Sequence, residues 1–60
     1  MDNNTKITVL ILTYNEEVNI PYALKNVMDW AHEVVILDSY STDNTIEIAK
    51  QYGAKVFFKK

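Results

Sequence analysis

The sequence has no cysteine, and it has one glycine and one proline among its 60 residues. Without cysteine the chain has no disulfide to stabilise it, and no Cys/His cluster offers a zinc site. A chain of this length buries about 60% of its unfolded surface and is marginal as an independent domain. The absence of cysteine also fits a reducing compartment. We therefore expect residues 1–60 to form one small, incomplete domain.

An excess of basic charge and long apolar runs are also missing. The net charge is −2 and there is no basic stripe, so nucleic acid is not an expected partner. The longest apolar run is far shorter than a membrane span, which requires about 20 residues. The polar N-terminus, residues 1–6, differs from a signal peptide, and we expect it to be flexible. The simplest interpretation is a soluble chain on the cytoplasmic side.

The single glycine excludes two phosphate-binding motifs. A dinucleotide fingerprint requires G-x-G-x-x-G after the first strand, whereas this chain reads T-Y-N-E-E at 13–17. A P-loop requires G-x-x-x-x-G-K-[ST], and Gly53 does not lie in such a pattern. A glycine-rich loop that cradles phosphates is therefore not expected.

Short apolar runs predict strands at residues 7–12, 34–37 and 55–58. The first run lacks clean alternation, which is typical of a parallel strand that is covered on both faces. Phe57 and Phe58 are expected in the core or on a face of the sheet.

Helical spacing predicts two helices between these strands. For the first, Asn19 is the expected N-cap, Pro21 lies in the first turn, and the end falls near Asp29–Trp30, with Trp30 closing the core. Its apolar stripe consists of Ile20, Ala23, Leu24, Val27 and Met28. The stripe of the second consists of Thr45, Ile48, Ala49 and Tyr52.

The second helix has clear signals at both ends. Ser41, Asp43 or Asn44 is expected to cap its start, and Asn44 with Glu47 has the spacing of a capping box. Gly53 is placed where a helix ends in a left-handed conformation. The sum is a Rossmann-like α/β fold, β-α-β-α-β, with parallel strands and right-handed crossovers.

This order of elements brings two polar loops to one edge of the sheet. Residues 13–17 and 38–43 follow the first two strands, and ligands of open α/β sheets bind at the carboxyl ends of the strands. Asp38 is the first polar residue after the second strand and the leading site candidate, although a carboxylate there could instead only organise the loop. Carboxylates, hydroxyls and the ring of Tyr14 suit a base and a ribose. The chain contains no D-x-D pair, so no metal is placed within it.

At this point the residues carry a resemblance to a known family. T-Y-N-E-E at 13–17, D-S-Y-S-T-D-N-T at 38–45 and E-I-A-K-Q-Y-G-A-K-V at 47–56 resemble the start of a family-2 inverting glycosyltransferase of the GT-A fold. Within that family the chain is most similar to the branch that includes lipopolysaccharide-core β-glucosyltransferases. The resemblance covers about residues 7 to 58, and the two loop motifs together are fairly specific.

The resemblance implies binding of a nucleotide-diphosphate sugar, UDP-linked, and transfer of a hexose to a glycan or lipid-linked acceptor in cell-envelope polysaccharide synthesis. It also implies a divalent metal, Mg²⁺ or Mn²⁺, for the complete enzyme, which can lie at the inner face of the membrane. The metal-binding D-x-D and the general base of the family lie beyond Lys60, so no catalytic or metal residue is assigned and no activity is expected from these residues alone. The nucleotide-binding residues carried over are Thr13, Tyr14, Asn15, Glu16, Asp38, Ser39 and Asp43.

Three positions depart from the family pattern. Tyr40 and Asn44 stand where the family often has glycine, and tyrosine tolerates a left-handed backbone poorly. Either the turn at Tyr40 keeps a negative φ, or Tyr40 is strained. Ser39 replaces an acidic residue that is common in relatives, which leaves the identity of the nucleotide open.

Other interpretations remain open from the sequence. Asp43 is also a favourable residue at a helix start, and His32 is most simply a surface residue. A nucleotidyltransferase fragment is a weaker alternative, because such enzymes usually place a glycine-rich basic loop after the first strand. A non-catalytic module that binds a partner or self-associates through uncovered apolar faces is the alternative from another class.

Overall fold

A computed structural model describes residues 6–60. These residues form five elements, which alternate strand and helix as the sequence predicts. They are β1 (Thr8–Thr13), α1 (Ile20–Val27), β2 (Glu33–Asp38), α2 (Thr45–Gln51) and β3 (Lys55–Phe58). We expect residues 1–6 to be flexible. Residues 1–5 of this segment lie outside the described part of the chain.

The three strands form one parallel sheet in the order β1-β2-β3. The register pairs Thr13 with Asp38 and Asp38 with Phe58. Thr13, Asp38 and Phe58 therefore lie in one row across the carboxyl edge of the sheet, where the loops to α1 and α2 begin. This confirms the predicted α/β fold.

Both helices pack on the same face of the sheet, where they contact each other. Leu24 of α1 and Ala49 of α2 are fully buried with Ile36 of β2. Aliphatic residues at helical spacing supply this core, and their burial is its main stabilising term. The core also includes Ile20, Val34 and Ala54.

The opposite face of the sheet is open, so the prediction that both faces of the first strand are covered is wrong for residues 6–60. Leu10 is 59% exposed and Leu12 is 72% exposed, and Phe57 of β3 is 56% exposed. The reason is topological. Two successive crossovers between neighbouring strands in one direction place both helices on one side.

The end of α1 also differs from the prediction. The helix ends at Val27 with Met28 as its C-cap, and Trp30 is 56% exposed rather than part of the core. The N–H groups of Trp30 and Ala31 both donate to the Val27 carbonyl, which turns the chain away from the core. Asn19 has a helical backbone and makes no side-chain cap.

The end of α2 follows its sequence signal. Gly53 has φ +88°, its N–H donates to the Lys50 carbonyl, and the Ala54 N–H donates to the Ala49 carbonyl. This pair of bonds is the Schellman motif, which requires a left-handed residue after the helix. Between residues 6 and 60 neither helix is long and apolar enough to cross a membrane.

Candidate functional site

Two loops meet at the carboxyl edge of the sheet. The first loop, residues 14–19, connects β1 to α1, and the second loop, residues 39–44, connects β2 to α2. The Ser39 N–H donates to the Thr13 carbonyl, which extends the pairing of β1 and β2 into the loops. Hydrogen bonds from side chains then tie the two loops to each other.

Asp38 is the centre of this arrangement, and its side chain is fully buried. Its Oδ1 accepts from Thr13 Oγ1 at 2.6 Å and from Ser41 Oγ at 2.6 Å. Its Oδ2 accepts from the Ser41 N–H at 2.6 Å. The carboxylate thus holds the end of β1 and the second loop together. The structure shows its loop-organising role directly, and a nucleotide contact by Asp38 stays a prediction.

Asn15 joins the loops a second time. Its N–H donates to Ser41 Oγ at 2.8 Å, and its Oδ1 accepts from the Thr42 N–H at 2.8 Å. Asn15 has φ +51°, a left-handed conformation that asparagine tolerates better than most residues. This backbone turn aims its N–H and its side chain at the second loop.

Asp43 organises the start of α2. Its Oδ1 accepts from both the N–H and the hydroxyl of Thr45, and its Oδ2 accepts from the Glu17 N–H at 3.2 Å. Thr45 is fully buried, and its Oγ1 accepts from the Glu16 N–H at 2.8 Å. The capping box expected from Asn44 is wrong, because Asn44 makes no side-chain cap. Instead, the Asp43 carboxylate accepts from the Thr45 N–H at the start of α2.

Both aspartates are ionised at neutral pH for the same physical reason. Burial raises the pKa of Asp38, but the hydrogen bonds from Ser41 and Thr13 outweigh it and hold that pKa below its usual range. Burial likewise raises the pKa of Asp43, and the hydrogen bonds from Thr45 and Glu17 hold it below its usual range. The carboxylates and their donors therefore form a charged, fully hydrogen-bonded framework.

The groups that remain open to a ligand are on the outer surface of the loops. Tyr14 is 57% exposed, Ser39 is exposed, and Glu16 is half-buried with its carboxylate 3.4 Å from Asn19 Nδ2. Thus four predicted site residues, Thr13, Asn15, Asp38 and Asp43, lie in the framework, whereas Tyr14 and Ser39 face outward.

Ser41 and Thr45 hold the framework together but were not among the predicted nucleotide-binding residues. The sequence carries a signal for both. A hydroxyl residue three positions after Asp38 and another two positions after Asp43 have the spacing at which an aspartate accepts from a nearby backbone N–H.

Tyr40 has φ +59°, so of the two alternatives the strained one is observed. A non-glycine residue in this conformation costs about 1–2 kcal/mol. The Tyr40 ring stacks on Phe58, with centroids 5.3 Å apart and planes 26° apart. Such a pair contributes about 0.5–1.5 kcal/mol, which is comparable with the strain and offsets much of it. Asn44, the other glycine-like position, keeps a negative φ of −86°.

The site does not fit a metal ion. Within residues 6–60 no three acidic or histidine side chains are grouped as metal ligands. The oxygens of Asp38 and Asp43 already accept hydrogen bonds from the loops. The described part of the chain also encloses no pocket, so the site is an open edge to which a ligand binds from outside.

The sequence of the chain is similar to a family of known proteins. The family model of glycosyl transferase family 2 matches residues 8–60. An uncharacterized glycosyltransferase of Rickettsia typhi is 46% identical over 54 residues, which are 90% of this chain and 18% of the relative. Glycosyltransferase SunS of Bacillus phage SPbeta is 48% identical over 44 residues, which are 73% of this chain and 10% of the relative.

The fold is shared with a solved enzyme. Glucosyl-3-phosphoglycerate synthase from Mycobacterium tuberculosis, in complex with Mn²⁺, UDP and glucosyl-3-phosphoglycerate, superposes with a TM-score of 0.80 at 30% identity. The match covers 92% of this chain and 21% of that enzyme. The same enzyme in complex with UDP alone gives the same TM-score, 0.80. The chain thus spans between about a tenth and a fifth of the length of these relatives.

Proposed function

The chain belongs to glycosyl transferase family 2, and we propose that it forms the part of a glycosyltransferase that binds the nucleotide of the sugar donor. The observation that carries this proposal is the framework of Asp38 and Asp43, which holds two polar loops at the carboxyl edge of a parallel sheet. Ligands of open α/β sheets bind at this edge. The fold neighbour with the same arrangement of elements was solved with UDP.

Within this proposal the site residues have two kinds of role. The outward groups, Tyr14, Ser39 and the Glu16 carboxylate, contact the base and the ribose, for which an aromatic face and hydrogen-bonding oxygens are suited. Thr13, Asn15, Asp38 and Asp43 shape the loops that present these groups. The Asp38 carboxylate is fully buried, where it positions the second loop, and its contact with the base or the ribose stays part of the proposal.

The finer identity of the reaction is also part of the proposal. We propose an inverting transfer of a hexose from a UDP-linked donor to a glycan or lipid-linked acceptor in cell-envelope polysaccharide synthesis, on the lipopolysaccharide-core branch. The two loop motifs support the branch, and the UDP complexes of the fold neighbour support the nucleotide.

A divalent metal belongs to the proposed complete enzyme, since the fold neighbour was solved with Mn²⁺. Such a metal would neutralise the leaving diphosphate. Residues 6–60 contain no group of side chains that could hold such a metal. We therefore place the metal and the general base outside these residues, and we expect no sugar transfer from them alone.

The test is a titration of the ¹⁵N-labelled chain with UDP, followed by amide chemical shifts. We expect shifts confined to residues 13–17 and 38–43, and weaker binding for Tyr14→Leu. Tyr52→Leu is the matched control, since Tyr52 is exposed at the far end of α2. No shift in the two loops at saturating UDP would refute the proposal.

One observation favours a second candidate, a module that associates with itself. The open sheet face carries Leu10, Leu12 and Phe57, all more than half exposed. Association through this face would give shifts in these residues that depend on protein concentration and not on UDP. The same spectra therefore separate the two candidates.

A further inference from the structure

The stacked rings of Tyr40 and Phe58 are an aromatic surface at the same edge as the two loops. Tyr40 lies next to Ser39 in the second loop, and Phe58 shares a sheet row with Thr13 and Asp38. Although they stack on each other, Tyr40 remains 54% exposed and Phe58 remains 49% exposed. The pair is therefore a surface accessible from solvent, not a piece of the core.

The position of this surface is constrained from both sides. The Lys59 N–H donates to the Asp38 carbonyl at 2.8 Å, which fixes the end of β3 beside β2. The Ser41 N–H donates to the Asp38 carboxylate, which fixes the backbone directly after Tyr40. The two rings are thus presented by backbone that the framework already holds in place.

The backbone at Tyr40 gives the second argument. With φ +59° the turn accommodates glycine or asparagine more easily than tyrosine. A residue held in a sparsely populated conformation beside a binding site points to a function for its side chain. Because glycine would form this turn without strain, the backbone conformation does not account for an aromatic side chain at this position.

We propose that the Tyr40–Phe58 pair is a stacking surface for the nucleobase, which makes Tyr40 a further binding residue of the nucleotide site. This inference rests on the proposed function. Every base has a flat π-face that stacks on aromatic rings, and the adjacent Ser39 hydroxyl is placed to hydrogen-bond the edge of a base. The second loop thereby contributes an aromatic contact of its own, in addition to Tyr14 of the first loop.

The experiment measures binding of UDP and of ribose 5-phosphate, which keeps the ribose but has no base, to five forms of the chain by NMR titration. The forms are wild type, Tyr40→Leu, Tyr40→Phe, Tyr40→Gly and Phe57→Leu. We expect Tyr40→Leu to weaken UDP binding by at least about fivefold. Tyr40→Phe, which keeps the ring, should restore it. Phe57→Leu is the matched control, because Phe57 is a neighbouring, 56% exposed ring on the opposite face of β3.

Two further readouts separate stacking from a purely structural effect. Stacking shifts the aromatic proton resonances of Tyr40 and Phe58 upfield when UDP binds, and it leaves binding of ribose 5-phosphate equal in wild type and Tyr40→Leu. A loop that is merely distorted would weaken both ligands. In addition, Tyr40→Gly relieves the strained φ, so it should keep the unfolding midpoint close to wild type and still weaken UDP.

The outcomes are distinguishable. If wild type shows no UDP shifts in residues 13–17 and 38–43, the proposed function fails and this inference fails with it. If wild type binds UDP and Tyr40→Leu binds equally well, the inference alone is overturned. Equal weakening of UDP and ribose 5-phosphate would also overturn it, in favour of a structural role for the ring.

Discussion

Replacing Asp38 by asparagine tests whether the buried carboxylate holds the two loops together. The wild-type carboxylate accepts three hydrogen bonds, each 2.6 Å long, from Thr13 and Ser41, and its side chain is fully buried. An asparagine has nearly the same shape but only one acceptor oxygen. In either orientation of the amide, at least one of the three donors faces an N–H instead of an oxygen.

The size of the effect follows from these contacts. A hydrogen bond to a charged group contributes about 1.5–3 kcal/mol, and a buried donor without an acceptor costs about 1–3 kcal/mol. We therefore expect Asp38→Asn to lower the free energy of unfolding at pH 7 by about 2–3 kcal/mol. A chain of 60 residues has a total of about 3–9 kcal/mol, so the loss is a large part of it.

The pH dependence makes the test sharper. The hydrogen bonds lower the pKa of Asp38 in the folded chain, so the stability they contribute is present above the unfolded pKa, about 3.9. That stability is lost as the pH falls through the lower, folded pKa. Asparagine does not titrate. The difference between wild type and Asp38→Asn should therefore be largest at neutral pH and shrink as the pH falls below the unfolded pKa.

The assay is urea unfolding followed by far-UV circular dichroism at a series of pH values. Asp29→Asn is the matched control, because it removes the same charge at an exposed position after α1 and should leave stability nearly unchanged. The reasoning is refuted if Asp38→Asn is as stable as Asp29→Asn at pH 7. It is also refuted if the difference does not change with pH.

Two further predictions test local geometry by the same unfolding assay. Thr45→Val keeps the shape of a buried residue but removes the acceptor of the Glu16 N–H, so we expect a loss of about 1–3 kcal/mol. Thr42→Val, at an exposed position in the same loop, should cause little change, and equal losses for the two variants would contradict the role of Thr45. Gly53→Ala should cost about 1–2 kcal/mol through its φ of +88° alone, since no atom lies within 4 Å of the added Cβ. Gly53→Asn should cost less. An unchanged free energy of unfolding for Gly53→Ala would show that α2 does not end in a left-handed residue at this position.

The framework also explains why a small chain can present an ordered site. The hydrogen bonds that link its two segments join residues that are 25 to 29 positions apart in the chain, so they close the two loops against each other. Each participating side chain is short, which limits the conformational entropy lost on folding. Within the described residues no buried side-chain oxygen or nitrogen is left without a partner. The hydrogen bonds therefore hold the two loops in one arrangement without a ligand.

The order and type of the elements follow from the sequence alone. Apolar runs and helical stripes predict all five elements, and β3 begins and ends where predicted, at Lys55 and Phe58. Gly53 predicts the end of α2 correctly. These features depend on residues close together in the chain, for which local propensity and spacing carry the information.

The convergence of the loops was also predictable, because parallel strands joined through helices place alternate loops at one edge. Which side chains of the loops are buried and which are exposed was not. Asp38 is a prominent polar residue in the sequence, yet its carboxylate is turned inward by Thr13, a residue 25 positions earlier. The same long-range contacts place Tyr14 and Ser39 on the outside.

Three other features were decided only by the tertiary structure. Both crossovers run in the same direction, so one face of the sheet is open and Leu12 is exposed. Trp30 lies outside the core because the chain turns after Val27. Tyr40 adopts a left-handed conformation, and its ring stacks on Phe58 of another strand. Sequence patterns determine which segments form helices and strands, since that choice is made by neighbouring residues. The site and its exposed surfaces depend on contacts between distant segments, which only the folded chain brings together.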